Sequence, residues 1–303
     1  MKLLLTADWH LRSSAPENRT DNFLRTEIHK LKWLLELAEE EKAIILQAGD
    51  FFDRPMPSYT LLSHVIETIL IHPNVEIYCV YGQHDLGYHV TRRNTGLNLL
   101  DKAGCVKVVD SASSPLQLPS RVDLYGCCWG EELPVPYKTK LKFKVLIMHR
   151  MLIGRKRLWR GQTEYDVARM FLRDHKFDLI VSGDNHHHFI DKVRKRYVVN
   201  PGSLTRLTTA QVNYEPKVVL FDTETREYEV EKVPIAPPES VFDLKSIEES
   251  RAVNKDLEAF VEGLSESSEL EGLDFIKNLN AYMESNKVEE PVQEYIRRMV
   301  HGE

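Results

Sequence analysis

Lys2-Leu3-Leu4-Leu5-Thr6-Ala7-Asp8-Trp9-His10 (residues 2–10) is an apolar run that ends on a carboxylate and an imidazole two positions apart, and its reading decides the fold. Leu3 to Leu5 reads as a buried strand, with the polar pair at its end. The arrangement recurs four times downstream. Ala43 to Leu46 leads to Gly49-Asp50-Phe51-Phe52-Asp53, and Val75 to Val80 leads to Gly82-Gln83-His84-Asp85. Val145 to Ile147 leads to Met148-His149, and Leu179 to Val181 leads to Gly183-Asp184-Asn185-His186. Open α/β sheets collect their ligands in a crevice outside the carboxyl ends of the strands. Five such clusters in order predict one crevice lined by metal-binding groups, suited to two-metal chemistry on a phosphoester.

Helical segments alternate with these runs. Asn22 to Lys42 reads as a long amphipathic helix with Phe23, Ile28, Leu31, Leu34, Leu35 and Ala38 on its buried side. Ser58 is placed to cap a second helix that stops at His72-Pro73, and shorter helices are predicted over 94–103 and 163–175. Lys217 to Asp222 and Glu227 to Val233 alternate with period two around a turn, which reads as a hairpin. The alternation predicts an α/β sandwich over residues 1–235. Pro234-Ile235-Ala236-Pro237-Pro238 marks a boundary, and residues 236–303 read as a helical appendage with segments near 254–265, 272–285 and 289–300.

The composition fits an ordinary globular protein, with 42% apolar and 28% charged residues among 303. No run is long enough to span a membrane and no signal peptide is visible, so a cytoplasmic location is expected. Cys79, Cys105, Cys127 and Cys128 form no CxxC pair and read as buried, reduced thiols. The net charge of −6 is unevenly spread: residues 1–235 carry 33 Lys+Arg against 30 Asp+Glu, and residues 236–303 carry 7 against 16. A weakly basic body suits an anionic substrate, and the acidic tail suits another task or a solvated helix pair.

Asp8 and His10, read as alternate residues of an extended strand end, would point the same way and share one metal. Asp184 and His186 repeat that spacing. Asp50 is best placed to bridge two ions, because a carboxylate offers two oxygens and a negative charge. Alone, any one of these pairs is more often a surface polar pair; their order along the chain is what carries the reading.

The chain resembles the calcineurin-like metallophosphoesterase superfamily, whose motifs DxH, GDxxD, GNH[DE], H and GHxH run in this order. The expected fold is its four-layer α/β sandwich, with the helical carboxy-terminal appendage added. Asp50 to Tyr59 (DFFDRPMPSY) and Val199-Asn200-Pro201-Gly202-Ser203 look most like the SbcD-type double-strand-break-repair nucleases, especially compact bacteriophage members, which would place the chain in a host cytoplasm. The resemblance implies Asp8, His10, Asp50 and His186 on a first metal, and Asp50, Gln83, His149 and Asp184 on a second. It implies a catalytic His84 that contacts the scissile phosphate, oriented by Asp85. Two positions depart from the pattern: Gln83 stands for Asn, and Asp184 for the first His of GHxH. Both fall on the second metal, and the added carboxylate makes that site harder and more negative, favouring Mn²⁺ or Mg²⁺ over Zn²⁺. The run His186-His187-His188 leaves only spacing to select His186, and Asp53 is expected to fix its loop rather than ligate.

Basic residues sit beside the motifs. Arg92 and Arg93 follow His84; Arg150, Arg155, Lys156, Arg157, Trp159 and Arg160 follow His149; Lys192, Arg194, Lys195 and Arg196 follow the last motif. Cations meet phosphates and an aromatic ring can stack on a base, so a DNA strand is the expected substrate. The resemblance implies a 3′-to-5′ exonuclease with single-strand endonuclease activity in recombination and repair. It also implies a partner resembling the SbcC coiled-coil ATPase, and leaves a homodimer open. The alternatives are a small-molecule or cyclic-nucleotide phosphodiesterase and a non-catalytic DNA-binding subunit.

Overall fold

The computed structural model describes residues 1–137, 142–154, 157–158, 162–248 and 275–301, the last stretch partly by backbone alone. They divide into two compact units, Met1–Phe242 and Asp243–Glu303.

The first unit is built on two six-stranded sheets. One has the order β14-β13-β1-β2-β3-β4, the other β11-β12-β10-β7-β6-β5. In the first, β1 (Lys2–Thr6), β2 (Ile44–Gln47), β3 (Ile77–Cys79) and β4 (Lys107–Val108) run parallel. β13 (Lys217–Asp222) and β14 (Tyr228–Lys232) complete its edge as the expected antiparallel hairpin. In the second sheet, β6 (Val122–Cys127), β7 (Phe143–His149), β10 (Leu179–Gly183) and β12 (Arg196–Asn200) run parallel, flanked by antiparallel β5 (Leu116–Leu118) and β11 (Phe189–Val193). A short pair, β8 (Leu152–Ile153) with β9 (Asp166–Val167), lies outside both.

Side-chain alternation shows the layering. Val145 and Ile147 of β7, with Leu179 and Val181 of β10, join the large cluster that holds Leu3 to Leu5 and the buried side of α1 (Phe23–Glu40). Leu146 and Met148, with Ile180, face the other way onto Ala168, Phe171 and Leu172 of α4 (Ala168–Asp174). Strands covered on both faces need apolar residues at successive positions, which is why these runs read as continuous rather than alternating. Each fully buried Leu stabilises the sandwich by about 1.5–3 kcal/mol. The result is the expected mixed α/β architecture of two stacked sheets with outer helices.

Three of the expected helices form, each with a side-chain cap. Asn22 caps α1 by accepting from Arg25 N, Ser58 caps α2 (Tyr59–Leu70) through Leu61 N, and Thr95 caps α3 (Gly96–Lys102). The helix expected over 163–175 begins only at Ala168, because Asp166 and Val167 pair as β9 with β8. A short α5 (Pro238–Val241) ends the first unit.

In the second unit, α6 (Phe275–Ser285) and α7 (Glu290–His301) match the two last expected helices. Leu279 and Met283 of α6 close on Val292 and Ile296 of α7 as a small cluster of their own. The helix expected at 254–265 lies outside the described residues. No helix among the described residues is long and apolar enough to cross a membrane. All four cysteines are free and buried.

Candidate metal centre

The five polar clusters follow β1, β2, β3, β7 and β10, three strands from one sheet and two from the other. The loops after β1 and β2 are zipped together: Asp8 N donates to Gly49 O (3.1 Å), His10 N to Asp50 O (3.0 Å) and Leu11 N to Phe51 O (3.0 Å). Asp8 and His10 are not alternate residues of a strand, as the spacing suggested. β1 stops at Thr6, and both residues have left-handed backbone, φ 48° and 46°. Asp50 (52°) and Asp184 (75°) share that conformation. Four non-glycine residues in this sparsely populated region each store strain, and such strain concentrates at functional sites.

Two triads of donor atoms result, each with its atoms within 4.8 Å of one another: Asp8, His10 and His186, and Asp8, Asp50 and His149. Nε2 of His10 lies 3.1 Å from Nε2 of His186. Asp50 Oδ2 lies between the triads, 3.5 Å from His10 Nε2 and 3.3 Å from His149 Nε2, where a bridging carboxylate belongs. His149 Nδ1 donates to Ala48 O (2.7 Å), which fixes the ring and turns Nε2 into the cluster. Gln83 Nε2 donates to Asp184 Oδ1 (3.0 Å), and Asp184 N donates to Asp8 Oδ1 (3.0 Å), so both departing residues reach the cluster. A third triad, His10, Asp53 and His84, borders it.

These residues fit divalent cations. Asp8 Oδ2 and Gln83 Oε1 are buried with no hydrogen-bond partner, and Asp50 Oδ2 and His149 Nε2 face one another as an ion pair at 3.3 Å. Each unsatisfied buried group costs about 1–3 kcal/mol, and two beside a buried ion pair in one crevice call for a shared ligand. Burial pushes the Asp8 carboxyl up to about 8, with Asp50 adding to the rise against the pull of His149. Burial drives His10 down to about 3 and lowers His186, which keeps both imidazoles neutral with lone pairs to give. Burial would lower His149 as well, yet Asp50 and Asp8 raise it to about 10. In the metal-free cluster the His149 proton therefore supplies positive charge that a cation would otherwise bring.

The close approach demands glycine. At Gly49 (φ +87°) a Cβ would meet the His149 ring at 2.3 Å, and at Gly82 it would meet Asp50 Oδ1 at 2.0 Å.

His84 borders the cluster, its ring 4.9 Å from that of His10. Its Nδ1–H donates to Asp53 O (3.0 Å) and its backbone N donates to Asp50 Oδ1 (2.9 Å). Asp85 does not orient that ring. It is fully buried, and its carboxylate accepts from the backbone N–H groups of Phe51 (3.1 Å), Phe52 (2.9 Å) and Gly82 (3.0 Å), clamping the second motif to the third. The acidic neighbour is a loop fastener, and Asp53 positions the imidazole through its carbonyl. Of the histidine run, His186 joins the triad and the His187 ring meets Tyr214. The turn after β12 supports the site from behind: Ser203 N donates to His186 O (3.2 Å) and Leu204 N to Asp8 O (3.2 Å).

The residues expected on DNA divide. Arg92 is committed elsewhere: it pairs with Asp110 at 3.0 Å and with Glu131, and lies over the Tyr81 ring, so it braces the loop instead of meeting phosphates. Arg93 is exposed. Arg150 is half-exposed and pairs with Asp166 at 2.8 Å. Arg157 donates to the Tyr165 hydroxyl (2.9 Å). Arg155, Lys156, Trp159 and Arg160 lie outside the described residues. Lys192 to Arg196 span the β11–β12 turn, at the far end of the strand that returns to Asn200. Trp129 escaped the sequence reading: it lies in no motif, yet its ring centroid is 6.3 Å from that of His149.

The calcineurin-like phosphoesterase family matches residues 1–188, which include all five motifs. The chain belongs to that family. The metallophosphoesterase cluster described above accordingly has the divalent-metal, ester-hydrolysing chemistry of its family. Solved structures of similar fold include a novel archaeal phosphodiesterase (17% identity, TM-score 0.43, covering 77% of this chain and 99% of that one). Another is a candidate 5′-nucleotidase from Staphylococcus aureus (14% identity, TM-score 0.45, 78% of this chain and 54% of that one). A third is GAP50, the anchor in the inner membrane complex of Plasmodium (12% identity, TM-score 0.42, 78% and 89%). No curated protein matches the chain.

Proposed function

We propose that this metallophosphoesterase is a two-metal nuclease that cleaves DNA phosphodiesters, with Mn²⁺ or Mg²⁺ held by Asp8, His10, Asp50 and His186 and by Asp50, Gln83, His149 and Asp184. The observation that carries the substrate class is an open cavity of about 500 Å³ that reaches Asp184, where Trp129 and Tyr165 offer aromatic faces beside the Arg150–Asp166 pair and Glu164. Aromatic faces beside the metal cluster suit unstacked bases, and a stacked base contributes about 1–3 kcal/mol. With Arg92 and Arg150 both paired to carboxylates, the cationic contribution falls to Arg93 and the 155–160 stretch.

When bound, the cations neutralise charge building on the phosphoryl oxygens and make water acidic enough to supply the nucleophile at neutral pH. His84 acts beside them. With Nδ1–H donated to Asp53 O, its Nε2 is left for the scissile phosphate, where the imidazolium donates a proton to the departing oxygen. Asp85 holds the Asp50 loop and the Gln83–His84 turn at fixed separation through three amides. Gln83 keeps Asp184 turned toward the cluster.

The α6–α7 pair forms its own apolar cluster, as a docking module for an SbcC-like coiled-coil ATPase would. Deleting residues 268–303 should abolish co-purification with such an ATPase and leave nuclease activity intact; a broadened thermal transition of the truncated protein would sink that role.

The nuclease reading is tested by Mn²⁺-dependent nucleotide release from duplex and single-stranded DNA, run beside hydrolysis of bis-p-nitrophenyl phosphate. Hydrolysis of the small diester with no release from either DNA would favour the small-molecule phosphodiesterase instead.

A further inference from the structure

Away from the five motifs, a cavity of about 260 Å³ opens between α1 and the segment following β14. Arg19, Lys30 and Arg206 line it together with His29, and no carboxylate is among its lining residues. Lys30 and Arg206 are buried, at 6% and 2% exposure, and the Arg19 side chain is 3% exposed. Three buried cations at one cavity are costly unless something offsets them.

The partners within the protein offset them only in part. Arg19 is neutralised by Asp21, which it grips at 2.8 and 2.7 Å. Arg206 donates only to backbone carbonyls, Val212 O (3.0 Å) and Ala236 O (2.7 Å), and its Nε is buried with no partner. Lys30 Nζ donates to Leu204 O (2.9 Å), one bond for an ammonium with three donors. Carbonyl oxygens satisfy N–H groups but carry no net charge; among the described residues no carboxylate bonds to Lys30 or Arg206, and Asp21, already held by Arg19, and Glu27 attract them only through space. Burial, reinforced by Arg206 and Arg19 against the smaller pull of Glu27 and Asp21, lowers the Lys30 ammonium to about 7.

The rest of the lining is apolar or aromatic: Trp33, Pro234, Ile235 and Val241. The volume equals roughly nine waters at about 30 Å³ each, more than a bare phosphate needs. We propose that this cavity binds a small phosphomonoester, its phosphate on Lys30, Arg206 and Arg19 and its organic part against Trp33 and Ile235. Leu204 joins this site to the metal cluster, since its carbonyl accepts from Lys30 while its N–H donates to Asp8 O.

The test uses the full chain in EDTA, where the metal cluster holds no cation to attract phosphate and hydrolysis plays no part. Binding of inorganic phosphate, deoxyadenosine 5′-monophosphate and deoxyadenosine is read by ³¹P line broadening and thermal shift. The monophosphate should bind, inorganic phosphate more weakly, and deoxyadenosine not at all. Phosphate binding as tightly as the monophosphate would retain the anion site but overturn the role of the apolar wall. Lys30→Met should lower affinity at least tenfold. Should that variant fail to fold, Ile235→Trp, which narrows the mouth and leaves every cation in place, should exclude the monophosphate. No binding at about 10 mM of either anion, or unchanged affinity in both variants, would overturn the proposal. Neither result would touch the phosphoesterase reading.

Discussion

His10 and His186 present their Nε2 atoms to one another at 3.1 Å across 176 residues of sequence. Burial keeps both rings neutral, and their contact is a hydrogen bond that a cation drawing on both lone pairs would replace. Two nitrogens each about 2.0–2.1 Å from a common ion would stand about this far apart. The pairing is an arrangement for a cation, and its neighbours make the same demand.

Metal binding should release protons and strengthen with rising pH. Asp8 and His149 hold their protons to about 8 and about 10 in the metal-free protein. Ligation needs both deprotonated, so the cation displaces what they carry near pH 7, and the competition fades as pH rises toward 10. Calorimetric Mn²⁺ titrations at pH 7 in buffers of different ionisation enthalpy should report net proton release. Affinity that falls between pH 7 and 8.5 would contradict this.

His84→Ala should lower kcat on bis-p-nitrophenyl phosphate by about 10²–10⁴-fold and leave Mn²⁺ affinity nearly unchanged. Its ring donates to Asp53 O and enters neither of the two triads centred on Asp8. Near-normal turnover would remove it from the chemistry.

Gly49→Ala should be among the most damaging single-methyl additions in the chain. The new Cβ would lie 2.3 Å from the His149 ring at a backbone φ of +87°. Loss of metal affinity together with a lowered Tm is expected, because His149 cannot retreat without breaking its bond to Ala48 O. A variant with wild-type Tm and activity would show that the ring has room to move.

Trp129→Ala should weaken binding of single-stranded DNA by about 1–3 kcal/mol while sparing hydrolysis of the small diester. The ring is 38% exposed and lines the cavity beside the cluster. Equal losses on both substrates would make Trp129 a prop for His149 instead of a surface for bases.

Much of this was legible in the sequence because burial on both faces writes strands as unbroken apolar runs. Leu3 to Leu5 and Leu179 to Val181 are examples; the apolar stripe of residues 22–42 announced α1, and Ser58 announced α2 through a side chain that accepts a backbone N–H. Other features carry no such signature. β6, from Val122 to Cys127, holds Asp123 and Gly126 and went unread, although it pairs with β7 along its whole length. The left-handed backbone at Asp8 and His10 is imposed by the zipped loops after β1 and β2, a long-range contact that spacing could not reveal. The resemblance gave Asp85 its orienting role and nearness to His84 gave Arg92 its phosphate role; three amides claim one, and two carboxylates the other.

Anomalous diffraction from crystals soaked in saturating Mn²⁺ tests the central claim most directly. The account predicts two peaks that share Asp50, one among Asp8, His10 and His186 and one among His149, Gln83 and Asp184. A single ion beside Asp8 and His10, with Gln83 and Asp184 turned away, would contradict it.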